Sequence, residues 1–333
     1  MNARRPRRAP GIALTAALAA VALAATFGIG ILVGREIARP AAAAPPGVPP
    51  VYDLGPFADV APELLAYRVL VEVPVALSKP RGIASAADGA IFVCGDRSLL
   101  EIDRTGAVQR HRDLDSEPSC VAVGPDGTVY VGMTDHVEVI RPGIAETTVW
   151  PDLGSQAVVT SIAVVGTEVL VADAGNRMVL RFDTGGRLAG TIGSEYSVPS
   201  PYFDVAGSPD GTLWVADPGR RTLRHYTIEG KLLGSWGFSS LDIAGFGGCC
   251  NPVHITVCPC GSIITAEKGL PRVKVHEADG ALSAVVAGVS DFASGETGLD
   301  LAVRQANGGE VLVLVPSRRL VRVYVKKGAN AGG

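Results

Sequence analysis

The sequence predicts an all-β fold, a six-bladed β-propeller preceded by one N-terminal transmembrane helix. Three observations lead to this prediction. The 333 residues are 47% hydrophobic and 19% charged, a composition that excludes a disordered chain. Short β-branched runs broken by glycine recur from residue 67 onward at intervals of about 40 to 50 residues, which is the period of a propeller blade. One long, uncharged apolar run lies near the N-terminus.

The N-terminal run is long enough to cross a membrane. Residues 11–33 carry no charge, and 23 residues at about 1.5 Å each span a hydrocarbon core of roughly 30 Å. Four arginines precede the run, which favours a cytoplasmic N-terminus. We therefore predict a cytoplasmic basic tail at 1–10, a transmembrane helix at 11–34, and a single-pass protein of the cytoplasmic membrane with its propeller on the extracytoplasmic side.

A cleaved signal peptide is the alternative for this segment, although the apolar region of such peptides usually has only about 7 to 15 residues. The next segment, 35–66, is predicted to be an extracytoplasmic linker. Proline and alanine dominate residues 40–50, and such a composition forms an extended spacer rather than a helix or a sheet.

The charge distribution excludes nucleic acid as a partner. Six of the 30 basic residues but only one of the 33 acidic residues lie in residues 1–39, which leaves a formal charge of −8 on the remainder. A body with this deficit of cations does not neutralise phosphates. The predicted partners are the membrane, through the single anchor, and a protein or a small ligand.

Each repeat is predicted to contain strand, tight turn, strand, loop and strand, followed in five units by a second turn. The first turns lie at Asp88-Gly89, Asp126-Gly127, Gly166, Asp210-Gly211, Gly261 and Gly308-Gly309. Six such units fill residues 67–326, and residues 327–333 are predicted to be a flexible tail. Because one blade cannot bury both of its faces, the units must stack around an axis.

The two ends of the propeller are predicted to close the ring. The last unit, 299–325, lacks an outer strand, whereas residues 67–73 form a strand without a hairpin partner. Pairing these two segments removes two exposed strand edges at once. We therefore expect residues 67–73 to be the outer strand of the sixth blade.

Two loops resemble the repeat of the NHL propeller family. Residues 172–177 read Ala-Asp-Ala-Gly-Asn-Arg, and residues 216–221 read Ala-Asp-Pro-Gly-Arg-Arg. The resemblance covers residues 67–326 and implies a six-bladed propeller, a fold used by protein-binding modules, lyases and lactonase-like hydrolases. Charge pairing across these loops predicts a structural role for Asp173, Asn176, Arg177, Asp217, Arg220 and Arg221.

A second resemblance concerns one blade. Gly-Cys-Cys-Asn-Pro at 248–252 and Glu-Lys-Gly at 267–269 are similar to a blade of membrane-anchored or secreted bacterial NHL-type proteins. Glu-Lys-Gly replaces the Asp-x-Gly of the other repeats and adds a cation at the mouth of the channel. The candidate ligand-binding residues are Cys249, Cys250, Asn251, His254, Glu267, Lys268 and Arg272.

Four cysteines within 12 residues resemble a metal site, but a predicted strand separates the two pairs, Cys249-Cys250 and Cys258-Cys260. Eight steps of about 3.3 Å place Cys250 and Cys258 roughly 26 Å apart, too far for one ion. We therefore predict that the pairs share neither a metal nor a disulfide, and that the protein has no metal and no cofactor. Structural and redox roles stay open for each pair.

Recognised catalytic motifs are missing from the sequence. It has five histidines but no Gly-x-Ser-x-Gly nucleophile, HExxH helix or phosphate loop, so we assign no catalytic residue. The leading hypothesis is a membrane-tethered scaffold that binds a protein or a ligand at the channel mouth. The alternatives are a propeller enzyme, either a lyase or a hydrolase, and a thiol-redox or metal-handling protein. An enzyme requires acidic and histidine side chains to converge at the axis within about 3 to 5 Å.

Overall fold

The computed structural model describes residues 55–293, 295–305 and 309–328. In this part of the chain, 24 strands form six four-stranded antiparallel sheets. Three short 3-10 helices lie at Gly55–Phe57, Val289–Asp291 and Pro316–Arg318. The prediction of an all-β, six-bladed propeller is confirmed.

The first strand, β1 (Tyr67–Pro74), precedes blade 1. Blade 1 comprises β2 (Pro80–Ser85), β3 (Ile91–Gly95), β4 (Ser98–Ile102) and β5 (Val108–Asp113). Blade 2 comprises β6 (Cys120–Val123), β7 (Val129–Gly132), β8 (Val137–Ile140) and β9 (Thr148–Val149). Blade 3 comprises β10 (Val159–Val165), β11 (Glu168–Asp173), β12 (Met178–Asp183) and β13 (Leu188–Ile192).

Blade 4 comprises β14 (Val205–Gly207), β15 (Leu213–Asp217), β16 (Thr222–Tyr226) and β17 (Leu232–Trp236). Blade 5 comprises β18 (His254–Val257), β19 (Ile263–Ala266), β20 (Val273–His276) and β21 (Leu282–Ala287). Blade 6 comprises β22 (Asp300–Arg304), β23 (Glu310–Val315), β24 (Leu320–Lys326) and, as its outer strand, β1.

The pairing of β1 with β24 closes the ring. The two strands are antiparallel, with a register that extends from Tyr67 opposite Lys326 to Pro74 opposite Leu320. Glu72 in β1 also accepts a 2.7 Å hydrogen bond from the Arg322 guanidinium in β24. The predicted closure is therefore confirmed.

The hydrophobic core lies between blades rather than inside any one of them. The middle strand β11 is buried at five of its six positions because each of its faces packs on a neighbouring sheet. Val171 belongs to a cluster shared with blade 2, and Leu170 belongs to a cluster shared with blade 4. The outer strand β5 is instead exposed at five of its six positions. Burial of apolar area between sheets thus stacks the blades around the axis.

The inner strands β2, β6, β10, β14, β18 and β22 contact one another in this order around a central channel. They approach closely where blade 1 meets blade 2. A Cβ atom on Gly82 in β2 would lie 2.9 Å from the Cα atom of Cys120 in β6, so glycine is required there. All six inner strands begin at one side of the disc, at residues 80, 120, 159, 205, 254 and 300, which we call the mouth face.

Within the described part of the chain, none of the helices has the length and apolarity needed to span a membrane. The predicted basic tail and transmembrane helix, and the linker up to residue 54, lie outside the described residues.

Candidate functional site

Three titratable side chains converge at the mouth of the channel. His254 is the first residue of β18, Asp300 is the first residue of β22, and Asp204 directly precedes β14. The Nδ1 atom of His254 lies 3.4 Å from Asp204 Oδ2 and 3.2 Å from Asp300 Oδ1. One imidazole therefore bridges the inner ends of blades 4, 5 and 6.

Backbone N–H groups hold the two carboxylates in position. Asp204 Oδ2 accepts a 2.5 Å hydrogen bond from the N–H of Ile255 in blade 5. Asp300 Oδ2 accepts a 2.8 Å hydrogen bond from the N–H of Ile83 in blade 1. Each carboxylate therefore joins its own blade to the next blade in the ring, and its orientation is fixed before any ligand arrives.

The two carboxylates keep His254 protonated. Burial alone lowers the pKa of this imidazole, but the negative charges of Asp300 and Asp204 outweigh burial and raise the pKa to about 9. Burial also raises the pKa of the Asp300 carboxyl, an effect that the positive charge of His254 opposes. At neutral pH the site thus contains an imidazolium, whose Nδ1 donates to the carboxylates. Its Nε2 has no hydrogen-bond partner among the residues that the structure describes.

A cavity of about 190 Å³ occupies the central channel and is lined by all six inner strands. His254, Asp204 and Asp300 are among its lining residues, together with the hydroxyl-bearing Thr160 and Ser161. Sites for drug-sized ligands measure roughly 300 to 1,000 Å³. The channel therefore accommodates a small chemical group, and the rest of any larger ligand must lie on the mouth face.

A cation and an aromatic ring lie beside His254. The Nζ atom of Lys268 lies 4.0 Å from the centroid of the Tyr202 ring and 3.5 Å from Ser200 Oγ. The Tyr202 ring meets the His254 imidazole edge to face, with centroids 6.4 Å apart. Within the described residues, the Lys268 ammonium forms no ion pair with a carboxylate. It is thus a half-buried cation whose charge is available to a ligand.

The two adjacent cysteines belong to the same surface. The Sγ atoms of Cys249 and Cys250 are 3.4 Å apart, and both are free thiols. Cys249 is exposed, whereas Cys250 is buried. Burial raises the pKa of the Cys250 thiol, and the Ser200 hydroxyl and the Lys268 ammonium oppose this rise. Lys268 therefore lies near both the thiol pair and the Tyr202 ring.

Asn251 attaches the cysteine segment to blade 5. Its Oδ1 accepts a 2.9 Å hydrogen bond from the N–H of Lys268. Its Nδ2 donates to the carbonyl oxygens of Lys268 and Gly247, at 3.0 and 2.5 Å. Because this amide is buried and fully used by the backbone, it fixes the position of the cysteines relative to Lys268.

Glu267 and Arg272 lie beneath the mouth face, with 1% and 0% of their surface exposed. The Arg272 guanidinium donates two hydrogen bonds to the Glu267 carboxylate, at 3.1 and 2.9 Å. Lys274 Nζ lies 2.8 Å from Glu267 Oε1. The remaining donors of the two cations bind three backbone carbonyls of residues 241–245. Glu267, Arg272 and Lys274, here called the buried clamp, hold the loop between blades 4 and 5. Direct contact of Glu267 and Arg272 with a ligand stays a prediction.

The repeat loops of blades 3 and 4 hold the chain that enters each blade. Asp173 Oδ1 accepts a 2.9 Å hydrogen bond from the N–H of Val158, and Asp217 Oδ1 accepts one of 2.9 Å from the N–H of Ser197. The amide of Asn176 donates a 2.6 Å hydrogen bond to Asp173 Oδ2. Both aspartates therefore connect the end of a middle strand to the segment before the inner strand.

Arginines complete these loops. Arg220 Nη1 lies 2.9 Å from Asp217 Oδ2. Arg177 and Arg221 occupy the left-handed region, with φ values of 56° and 58°. Arg221 Nε also donates a 2.7 Å hydrogen bond to the carbonyl of Gly248, which directly precedes the cysteine pair. The loop of blade 4 thus supports the cysteine segment at the residue before the pair.

The structure brings five of the seven candidate binding residues together at the mouth face: Cys249, Cys250, Asn251, His254 and Lys268. Sequence analysis does not select Asp204 and Asp300, which complete the surroundings of His254. Asp300 begins its inner strand as His254 does, and Asp204 directly precedes its own, so alignment of Asp-Val-Ala, His-Ile-Thr and Asp-Leu-Ala would have found them.

The second cysteine pair lies at the other end of β18. There Cys258 donates its N–H to the Ser262 carbonyl, at 2.8 Å, in the turn that leads to β19. All six cysteines are free thiols. Across the described ranges, no group of three or more His, Cys, Asp or Glu side chains is arranged to hold a metal ion.

Comparisons with known proteins give one local sequence relative and a set of propellers. No family model matches the sequence. Over 62 residues the chain is 47% identical to a virginiamycin B lyase of Nocardia farcinica (strain IFM 10152), a segment that covers 17% of this chain and 22% of that protein. The chain thus matches about a fifth of the length of this curated relative.

Solved structures extend the similarity to most of the propeller. A streptogramin B lyase matches with a TM-score of 0.53 and 13% identity, over 81% of this chain and 91% of that one. Virginiamycin B lyase from Staphylococcus aureus matches with a TM-score of 0.52 and 13% identity, over 78% and 89%. The WD40 propeller domain of Doa1 matches with a TM-score of 0.54 and 15% identity, over 75% of this chain and 79% of that one. At these identities the similarity establishes the propeller fold and no activity.

Proposed function

We propose that this protein is an NHL-type propeller, tethered to the cytoplasmic membrane by residues 11–34, that binds a ligand outside the cytoplasm through its mouth face. The repeat-loop sequences and the long apolar N-terminal run support the family type and the tether. The observation that carries the binding role is the contact of one aromatic ring, Tyr202, with two cations, the His254 imidazolium and the Lys268 ammonium.

The donors define the chemistry of the ligand. Nδ1 of His254 is committed to Asp204 and Asp300, so its Nε2–H is the donor left for a ligand oxygen. Asp204 and Asp300 compensate the charge of His254, whereas the Lys268 ammonium adds a positive charge that no carboxylate of the described residues pairs with. Charge-assisted hydrogen bonds favour anionic oxygens. The ligand is therefore a molecule or a peptide end that presents a carboxylate to the mouth face.

A thermal-shift comparison tests this site in the full-length protein. Small carboxylates, for example acetate, succinate and acetyl amino acids, are compared with the corresponding primary amides. We expect the carboxylates to raise the Tm and the amides to have little effect. The His254→Gln and Lys268→Gln variants should lose the response, whereas the control Lys231→Gln, an exposed lysine on β17's hairpin, should keep it. An equal response in all three variants would exclude this site.

Membrane fractionation tests the tether independently. Full-length protein should sediment with membranes and resist extraction by carbonate, and protease added outside the cytoplasm should digest the propeller. Release of the propeller into the soluble fraction with a new N-terminus near residue 44 would show a cleaved signal peptide instead. The result of this experiment does not depend on the ligand.

A second candidate function is that of a lyase. It is favoured by the 62-residue similarity to a virginiamycin B lyase and by the convergence of one histidine and two carboxylates within 3.4 Å at the channel mouth. A catalytically inactive histidine-to-alanine variant of the S. aureus lyase has been solved with quinupristin. In this chain His254, protonated at neutral pH, would serve as a general acid.

Direct assay separates the two candidates. Purified full-length protein is incubated with virginiamycin B, and the loss of substrate is followed by mass spectrometry. Conversion that disappears in the His254→Gln variant supports the lyase. No conversion, or conversion that is unchanged in the variant, excludes this role for His254.

A further inference from the structure

The Cys249-Cys250 pair has an arrangement that ordinary backbone geometry does not produce. Successive side chains of an extended chain point in opposite directions. Here the two Sγ atoms lie 3.4 Å apart, within thiol contact, and the preceding Gly248 has a φ of 71° that turns the chain. The loop is therefore folded so that both sulfurs reach the same point.

The pair stands on a fixed support. Asn251 joins the segment to blade 5 through the backbone of Lys268, and Arg221 joins it to blade 4 through the carbonyl of Gly248. These contacts lie directly before and after the two cysteines. The backbone on both sides of the pair is thus held by blades 4 and 5.

The two thiols differ in access. Cys249 is exposed, whereas Cys250 has 2% of its surface exposed. A disulfide in solution therefore reaches Cys249, and Cys250 reaches only a sulfur that is already attached to Cys249. Burial raises the pKa of the Cys250 thiol, and Lys268 and Ser200 beside it oppose this rise, which favours the thiolate that exchange requires.

The other cysteines lack this combination. Cys94 and Cys120 are both buried between blades 1 and 2, so neither meets a molecule in solution. Cys258 and Cys260 flank a proline in a hairpin turn, and the Cys260 thiol contacts Ser262 Oγ at 3.5 Å. Cys260 is exposed as well and Lys326 acts on Cys258, but Cys258 is only half-buried, so exposure of one thiol and full burial of its neighbour occur together at Cys249 and Cys250.

We propose that Cys249 and Cys250 form a redox-active dithiol that reduces low-molecular-weight disulfides, with Cys249 as the attacking thiol and Cys250 as the resolving thiol. The Cys249 thiolate attacks one sulfur of the disulfide RSSR, forms a mixed disulfide with it and releases one RS⁻. The Cys250 thiolate then attacks the Cys249 sulfur and releases the second RS⁻. The two protons lost by the cysteines are taken up by the two released thiolates, so two cysteines are oxidised and RSSR becomes two RSH. This chemistry needs only the pair itself and does not depend on the ligand proposed above.

The test uses the reduced full-length protein and glutathione disulfide as the probe. We expect release of two glutathiones per chain and loss of two alkylatable thiols from the peptide that contains Cys249 and Cys250, with no glutathione retained. The Cys250→Ser variant should stop at the first step, keeping one glutathione on Cys249 and releasing one. The Cys249→Ser variant should not react at this peptide. The Lys268→Gln variant should react about threefold more slowly, because a cation beside the thiols is lost.

A double variant, Cys258→Ser with Cys260→Ser, is the matched control and should react as the wild type does. If the wild-type chain retains one or two glutathiones at Cys249-Cys250, the disulfide between these two cysteines does not form and the proposal is wrong. The same holds if both thiols stay alkylatable after equilibration with a tenfold excess of the probe. The wild-type measurement decides the question even if the Cys250→Ser variant fails to fold.

Discussion

The loops after the middle strands of blades 4 and 5 hold the incoming chain segment in two different ways. In both, a carboxylate accepts a backbone N–H from the chain that arrives from the preceding blade: Asp217 from Ser197 at 2.9 Å, and Glu267 from Gly247 at 3.1 Å. In blade 4 the carboxylate pairs with Arg220, whose side chain is 46% exposed. In blade 5 the cations of the buried clamp are fully buried.

The difference lies in the length of the loop to be held. Glu267 is longer than aspartate by one methylene, and its two cationic partners continue to the carbonyls of residues 241–245. Two cations and one carboxylate leave one net positive charge inside the protein, which these carbonyl dipoles solvate. Burying such a cluster contributes little net stability, but it imposes one arrangement of the loop. Blade 5 therefore uses buried charge to position the segment that carries the cysteine pair.

Removal of the clamp carboxylate is expected to have the largest effect. Glu267→Gln leaves Arg272 and Lys274 buried without an anion, and breaking a buried ion pair in this way destabilises proteins by about 3 to 5 kcal/mol. Chemical denaturation of the variant should show this loss in the free energy of unfolding. The triple replacement of the clamp by apolar residues should recover part of it. A loss below about 1 kcal/mol would mean that the clamp is not desolvated in solution.

The His254 bridge between blades 4, 5 and 6 is expected to make stability depend on pH. Its folded pKa of about 9 exceeds the ordinary value of 6.5, so its stabilising contribution is complete below pH 6.5 and is lost as the pH rises through about 9. The difference in unfolding free energy between wild type and His254→Gln should thus shrink by roughly 1 to 3 kcal/mol from pH 6 to pH 10. A constant difference across this range would show that the imidazole is not protonated in the folded state.

The smallest effect is expected in blade 4. Arg220→Ala removes a half-exposed cation from Asp217, and Arg224 still lies 2.6 Å from the same carboxylate. Screened pairs of this kind contribute less than about 1 kcal/mol. Chemical denaturation of Arg220→Ala and of Arg272→Ala gives the loss of unfolding free energy for each loop, and these two losses can be compared directly. Equal losses of unfolding free energy in the two variants would show that the buried arginine of blade 5 matters no more than the half-exposed arginine of blade 4.

The sequence predicts the fold well because strand alternation and glycine turns are local signals that repeat six times. The missing outer strand of the last unit even predicts the closure by residues 67–73. The depth of a charged side chain is not a local signal, however. Arg272 follows a middle strand as the exposed Arg177 does, but it is fully buried and donates to the Leu241 carbonyl in the loop at 237–253. Asp204 and Asp300 lie about 50 residues from His254 on either side, so their convergence depends on the stacking of blades 4, 5 and 6.

The closing strand also sets the order in which the molecule can be completed during synthesis. β1 is the first strand of the propeller to leave the ribosome, and its partner β24 is the last; Glu72 and Arg322, which pair across them, are 250 residues apart. Until then Val69, Leu70 and Val71 have no β24 beside them, and they stay partly exposed even in the finished sheet. The nascent chain therefore carries an apolar, hydrogen-bond-ready edge through almost the whole of translation, the kind of edge on which strands of other chains add. A chain truncated before residue 320 lacks β24 and keeps that edge open.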